Sequence, residues 1–312
     1  MSISADVVCT SYAFCRRLSR GAGSNFYAGF FLLPSAKRRA TDALYAFMRH
    51  TDDLADNPVP SRPRGEALIG WRAALEHALQ GHFGLHPNDR FQLHRIQYAE
   101  DQIGVALLPA LVDAVRRFHV PPEHLRAVID GVETDLQKRR YETFDELELY
   151  CRRVAAAVGL ACIYVWGFRG PQALVPAAQA GIALQLTNIL RDLKEDAEAD
   201  RVYLPAEEMR QCGYSVDDLL HGVVNDRFQR LMALQIKRAE EHYRGGAELL
   251  TWLEPDGQRV FGMMMATYRA ILAKIKRCPG DVLKGRVTLS RGEKLQIAAR
   301  WTFLPPSAAA LG

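Results

Sequence analysis

No two of the six cysteines are spaced as a CxxC pair, and no histidine stands near enough to complete a zinc set. Cys9, Cys15, Cys151, Cys162, Cys212 and Cys278 therefore read as buried thiols of a reducing compartment. No basic-then-apolar leader opens the chain. The apolar run from Phe26 to Pro34 falls short of a bilayer span, and no other stretch approaches the length needed. The expectation is a cytoplasmic protein, with any membrane contact peripheral at the inner face. Alternating strand patterns are missing, as are internal repeats, and the PPSAAALG tail is the one low-complexity tract. Net charge is only +4 over 312 residues, too weak an excess to argue a nucleic-acid partner, though compatible with an anionic substrate or surface.

What is present is helical period. With 48% hydrophobic and 24% charged residues, the composition is that of a large globular core. Residues 6 to 20 form a short amphipathic helix. A small-residue break at Gly21 to Ser24 leads into the aromatic stretch SNFYAGFFLLP. Pro34-Ser35 starts a helix running from about Ala36 to Ala55, with Ala40, Ala43, Leu44, Phe47 and Leu54 as its stripe. Lys37, Arg38 and Arg39 in its first turns oppose the helix dipole, which suits a nearby anion or a plain solvated surface. Further helices are read over Glu66 to Gln80, Leu108 to Phe118, Glu123 to Arg140, Phe144 to Trp166 and Ala173 to Lys194. Gly81 to Asp101 reads as loop with a short helix. AAAVGLACIYVWG suits a buried central helix, with Gly159 as a kink or close-packing point. Beyond it, helical patterns alternate with breaks at Gly213, Pro255 and Pro279-Gly280. The chain reads as one all-α domain over residues 1–312, with 302–312 as a flexible tail.

Two acidic stretches stand out, about 140 residues apart in the numbering. The first is Asp52-Asp53-Leu54-Ala55-Asp56, and the second runs from Asn188 through Arg191, Asp192 and Glu195 to Asp196. Carboxylates four residues apart share a helix face. Either stretch alone is as readily a solvated helix end as a ligand set. Both, however, end apolar helices, where carboxylates oppose the dipole and repel one another. A divalent cation relieves that conflict. All-oxygen ligands without thiol or imidazole point to magnesium, which takes one or two carboxylates together with substrate phosphates. The expectation is that the two edges face each other and hold magnesium against a diphosphate. Arg49, Arg191 and Arg201 are candidates for its oxygens, as are the lysine and arginines at 37–39. Tyr45 lies two turns before Asp52. Gln185 and Asn188 are polar residues on an otherwise apolar helix, suited equally to the site or to helix–helix hydrogen bonds.

YAFMRHTDDLADN and QLTNILRDLKEDAEADRVYLP resemble the two aspartate-rich signatures of the squalene/phytoene synthase family. SNFYAGFFLLPSAKRRATDALYAF, DGVETDL, YCRRVAAAVG and MMMATYRAIL also resemble family segments, in the expected order, so that the likeness covers most of residues 10 to 302. It implies the all-α isoprenoid synthase type I fold, helices around a central cavity. It implies magnesium on Asp52, Asp53 and Asp56 and on Asp192 and Asp196, with Asn188 and Glu195 in support. Diphosphate would meet Arg49, Arg191 and Arg201, and Ser24 or Asn25. Tyr45, Gln185 and Tyr268 match positions lining the reactive centre. The implied reaction is head-to-head condensation of two farnesyl diphosphates to presqualene diphosphate, and on to squalene where a second ionisation follows. The alternative is condensation of two geranylgeranyl diphosphates to phytoene. Such chemistry needs a stabilised leaving group and a dry cavity. No GxGxxG fingerprint follows a strand, so nothing in the sequence marks NADPH, although a helical enzyme can bind it without one. A magnesium-dependent nucleotide pyrophosphohydrolase would share the helical carboxylates, but needs an activated water in place of a dry tunnel. A non-catalytic helical protein has no reason to keep two acidic edges beside arginines. Neither oligomeric state nor the residues closing the cavity follow from one sequence.

Overall fold

The computed structural model describes residues 4–21, 27–56, 63–82, 99–307 and 311. Among these no strand forms, only isolated bridges pairing Arg140 with Val202 and Phe168 with Leu253. The helices are α1 (Ala5–Gly21), α2 (Ser35–Asp56), α3 (Arg64–Leu79), α4 (Ala99–Phe118), α5 (Pro122–Gln137), α6 (Phe144–Cys151) and α7 (Ala157–Trp166). They continue as α8 (Leu174–Arg191), α9 (Leu193–Glu198), α10 (Ala206–Cys212), α11 (Val216–Leu220), α12 (Asp226–Ala247), α13 (Pro255–Arg277) and α14 (Arg291–Phe303). Residues cluster into two compact units. One comprises Met1–Leu136 with Ala161–Trp166, the other Gln137–Leu160 with Gly167–Gly312.

In the first unit α1, α2 and α4 pack pairwise, and α3 packs on α2 and α4. The apolar stripe of α2 is fully buried at Ala40, Ala43, Leu44 and Phe47, as its period demands. The sequence reading begins the fourth helix at Leu108, but α4 starts nine residues earlier and runs through Pro109. Proline inside a helix removes a donor and pushes the preceding turn open. Ser11 of α1 fills the adjacent gap: its Oγ donates to the Ala106 carbonyl (2.6 Å) and accepts from the Ala110 N–H (3.0 Å). Next to it, the Tyr12 hydroxyl donates to Asp113 Oδ2 at 2.8 Å. A helix end elsewhere in this unit is held in the same way. Lys37 Nζ donates to the Trp166 carbonyl (2.6 Å), and Trp166 Nε1 donates to Thr41 Oγ1 (3.2 Å).

The second unit is built on α8, packed against α12, α13 and the segment Arg152–Ala156. That segment is a turn of π-helix between α6 and α7. Gly159 was expected as a kink or close-packing point, but a Cβ added there would meet only the Ala177 carbonyl oxygen, at 3.4 Å. The tight contacts fall elsewhere. A Cβ on Gly181 would lie 2.6 Å from the Ala156 Cα, and one on Gly246 would lie 2.7 Å from the Ala180 Cα. Two faces of α8 thus touch neighbouring backbone with no room for a methyl group. Phe144–Trp166 and Pro171–Arg191 are long and apolar enough to cross a membrane by length and composition, more than the sequence reading allowed; half of the first window and two-thirds of the second are buried inside the protein. The thiols also differ from expectation: Cys15, Cys151 and Cys162 are buried, whereas Cys9 and Cys278 are exposed, and all six are free.

Candidate active site

The first acidic edge occupies the last two turns of α2. Arg49 does not turn to Asp52, three residues on, but to Asp53 at i+4, with Nη2 2.6 Å from Oδ1 and Nε 3.1 Å from Oδ2. Asp52 is left among carboxylates. It is reached by solvent yet crowded by protein atoms, and that crowding is the main cause of a pKa raised to about 7. Asp56 adds to the rise, Arg49 opposes it, and Asp135 and Asp53 add smaller repulsions. Asp135, on the last turn of α5, is thus a member of this edge that sequence reasoning missed; its acidity was legible, but not that α5 carries it toward α2. Glu133, its neighbour on α5, is committed elsewhere, receiving Arg72 Nη2 at 2.9 Å while Asp130 receives it at 2.6 Å. Tyr45 is half-buried, its ring edge-on to Phe30 with centroids 6.0 Å apart. Phe30 and Leu33 of the aromatic stretch are buried.

The cationic start of α2 serves structure. Lys37 holds the Trp166 carbonyl, Arg39 lies over the Tyr12 ring at 5.5 Å, and the anion near Arg38 is the chain's own Asp42. Ser24 and Asn25 lie outside the described residues.

The second acidic stretch does not end one helix, as its sequence suggests, but straddles a break. Asp192, at φ −102° and ψ 14°, closes α8 and opens α9. Glu195 and Asp196 consequently stand in the first turn of α9, where the dipole favours acids, with Glu195 exposed and Asp196 half-buried. The break keeps Asp192 and Asp196 linked, since the Asp196 N–H still donates to the Asp192 carbonyl at 2.9 Å. Asp200 is drawn away to Arg140, 2.6 Å from its Nη2. The Arg201 N–H donates to the Asp196 carbonyl at 2.8 Å, bending the chain back on the end of α9.

Asp192 lies between two guanidiniums. Arg191, only 7% exposed, donates from Nε to Oδ1 at 2.7 Å. Burial works against the Arg191 charge, but its hydrogen bond and attraction to Asp192 outweigh that and raise its pKa. From the loop before α14, Arg286 places Nε 3.0 Å from the same oxygen. Tyr268 of α13 is buried, which pushes its hydroxyl pKa up, while charge and hydrogen bonding from Arg191 pull it down. The structure therefore brings together Arg191, Asp192 and Tyr268 of the expected residues and adds Arg286. Its loop has no periodicity to betray it, and its only sequence signal is a basic residue amid KGRVTLS.

One turn before Asp192, Asn188 Nδ2 donates to Gln185 Oε1 at 3.4 Å, while its Oδ1 is buried with no hydrogen-bond partner. An amide oxygen is rarely left so. Among the described residues no three His, Cys, Asp or Glu side chains converge as a ready-made metal cluster. The donors nevertheless fit a hard cation: an orphaned amide oxygen and a carboxylate one turn apart, with further coordination left to water and phosphate.

Among the described residues the architecture is all-α, and it matches the isoprenoid synthase fold of solved squalene synthases, the scaffold of enzymes that ionise prenyl diphosphates. The family model for squalene/phytoene synthase matches residues 19–293, and the chain belongs to that family. It is 37% identical over 298 residues to a phytoene synthase of Arthrospira platensis, covering 91% of this chain and 90% of that protein. To the 15-cis-phytoene synthase of Synechococcus elongatus it is 34% identical, with coverage of 91% and 90%. Among solved structures, a squalene synthase of Alicyclobacillus acidocaldarius superposes with a TM-score of 0.77 at 25% identity, over 89% of this chain and 97% of that one. A ligand-bound dehydrosqualene synthase gives the same score and identity over 94% and 96%. The chain is a prenyltransferase of the head-to-head type.

Proposed function

We propose that the protein condenses two molecules of geranylgeranyl diphosphate head to head to give phytoene. The observation that carries this reading is the run of phytoene synthases at 34–37% identity over about nine-tenths of the chain. It favours the C20 substrate, the alternative of the sequence reading, over the C15 one that the family resemblance put first. The squalene-type enzymes among the structural neighbours are more distant in sequence and support the shared fold and reaction class.

The site residues take the following roles. Asp52, Asp53 and Asp56 would hold magnesium in the first unit, and Asp192 and Asp196 with the Asn188 amide oxygen would hold it in the second, where Glu195 stands exposed on the first turn of α9 as support. Once bound, the metal neutralises charge on the departing diphosphate. Arg191 and Arg286 already occupy the second edge and offer planar forks to phosphate oxygens; Arg49 and Arg201 are further donors. Tyr268, held by Arg191, presents its hydroxyl beside that cluster. Tyr45 and Gln185 line the reacting chains, and the aromatic and aliphatic side chains around Phe30 keep water from the allylic cation. The double bond of the second substrate attacks that cation and a proton is lost to close the cyclopropane; departure of the second diphosphate then leaves a cyclopropylcarbinyl cation, which rearranges to a linear allylic cation and loses a second proton to give the linear product.

The test is direct. Purified protein with magnesium and geranylgeranyl diphosphate is expected to yield a C40 hydrocarbon, and much less lipid product with farnesyl diphosphate, whether or not NADPH is added. A C30 product alone would return the reading to the squalene branch, and no lipid product from either substrate would sink both. Asp52→Asn and Asp192→Asn are each expected to lower kcat by about a hundredfold or more with the circular dichroism spectrum unchanged. Wild-type turnover in both variants would remove the metal assignment.

A further inference from the structure

α9 ends in a Schellman motif. The Arg201 N–H donates to the Asp196 carbonyl (2.8 Å) and the Asp200 N–H to the Ala197 carbonyl (3.0 Å), the pair of bonds that closes a helix when the residue past its cap turns left-handed. That residue is Asp200, at φ 58°. Glycine is the usual occupant, because it has no Cβ to strain there. Aspartate tolerates the conformation at a cost, and with His119 it is one of two non-glycine residues at positive φ among the described residues. A strained choice asks what the side chain supplies.

It supplies a partner for the segment that follows α5. Arg140 Nη2 donates to Asp200 Oδ1 at 2.6 Å, and its Nη1 donates to the Asp200 carbonyl, also at 2.6 Å. Arg139 Nη1 donates to the Ala199 carbonyl (3.3 Å) and stands 3.8 Å from Asp200 Oδ2. The planar Arg140 guanidinium thus grips both the backbone and the side chain of the left-handed residue. Beyond it the two segments run on together. The Val202 N–H donates to the Arg139 carbonyl (3.0 Å), the Ala206 N–H to the Tyr141 carbonyl (2.9 Å), and the Tyr141 and Tyr203 rings stack with centroids 5.7 Å apart. These contacts join the segments without any help from the Asp200 carboxylate. Arg140 and Asp200 are themselves exposed, and an exposed ion pair adds little to stability. What the pair fixes is the turn.

The turn joins two residues assigned above to the site. Asp196 gives the carbonyl on which it closes, and Arg201 is the first residue after it. We propose that Arg140 and Asp200 are positioning residues, a latch that sets the direction in which the Asp196 carboxylate and the Arg201 guanidinium leave the end of α9, so that one holds magnesium while the other reaches diphosphate. The inference rests on the proposed roles of Asp196 and Arg201, and not on the length of the prenyl chain. Glycine at position 200 would close the helix with less strain, but would leave Arg140 without the carboxylate it grips and let the turn swing. Aspartate gives up some stability for a fixed direction.

The test reads binding and melting, so it needs no turnover. Inorganic pyrophosphate with magnesium is titrated calorimetrically into the full chain and into Asp200→Gly, Arg140→Gln and the double variant. Each single substitution is expected to weaken pyrophosphate binding about tenfold. The double variant is expected to bind no more weakly than either single one, since the two side chains act through one contact. Asp200→Gly is expected to melt at or above the wild-type temperature, because glycine relieves the left-handed residue. Binding and stability then move in opposite directions, which a plain structural tie would not produce. Wild-type affinity in both single variants would overturn the latch, as would a wild-type chain that does not bind magnesium pyrophosphate. Weakened binding matched by a lower melting temperature in Asp200→Gly would reduce the pair to a structural tie and overturn it too. A wild-type chain that binds magnesium pyrophosphate but forms no C40 product would sink the proposed substrate and leave the latch standing.

Discussion

Asp42 is 1% exposed, and neither of its carboxylate oxygens has a hydrogen-bond partner. Burial pushes its pKa up to about 6, with Arg16 and Arg38 pulling partly back. The native state therefore holds a proton that the unfolded chain has already released between about pH 4 and pH 6. Stability from this group is greatest below pH 4 and is lost as pH rises through 6, leaving a cost of about 3 kcal/mol at neutral pH. Asp42→Asn should accordingly be more stable than wild type in urea melts at pH 7.5, with the advantage largely gone at pH 3.5. A difference that does not change with pH would show that Asp42 has a charged partner at neutrality. At this scale the sequence was partly readable. Asp192, Asn188 and Arg191 were marked by polar groups on an apolar helix. Asp42 was invisible, because one aspartate in an amphipathic pattern gives no sign of facing inward. Arg49 was seen, but both Asp52 at i+3 and Asp53 at i+4 lie within its reach, and the sequence does not tell which of them it takes.

Elements were more legible than their joints. The 3.6-residue period placed α1, α2, α3, α5 and α8 to within a few residues of their observed ends. It failed where helical propensity and backbone conformation part company. ILRDLKEDAE has no residue that breaks a helix, yet the chain breaks at Asp192; Pro109 is a breaker, yet α4 passes through it because a serine from another helix closes the gap. The π turn before α7 has no sequence mark at all. Packing of α8 supplies a sharp test. Gly245 and Gly246 are neighbours on α12, but a Cβ on Gly246 meets the Ala180 backbone at 2.7 Å, while one on Gly245 meets only the Gln179 side chain at 3.4 Å. Gly246→Ala should destabilise by about 1–3 kcal/mol through forced separation of α8 and α12. Gly245→Ala should be neutral or slightly stabilising, since alanine is the better helix former. Thermal melts of the two variants falling together would mean that α8 and α12 do not touch at this crossing.

For the whole molecule, the all-α class and the family followed from the motifs, while the substrate branch did not. Substrate length depends on which side chains bound the space for the prenyl tail, and the motifs that identify the family are diphosphate motifs, common to both branches. They report on the end of the substrate that the branches share. The proposed C20 substrate rests instead on relatives at 34–37% identity over about nine-tenths of the chain that are phytoene synthases. The same limit appears at the chain's ends. The family match spans residues 19–293, but Ser11, Tyr12 and almost all of α14 lie beyond it. The span of the family match and the span of the folding unit are not the same. Ser11 is a splint for α4: without it, the Ala106 carbonyl and the Ala110 N–H lose the hydroxyl that bridges them beside Pro109. A chain cut at residue 19 would contain every metal-binding aspartate proposed above and still be expected to lose several kcal/mol, because the α2 and α4 surfaces that α1 covers with Tyr12 and Cys15 would be exposed and Asp113 would lose its tyrosine. Poor soluble yield or early melting of that fragment, against normal behaviour of the full chain, is the expected result. The residues that define the enzyme to a motif search and the residues that keep it folded are, at its beginning, different residues.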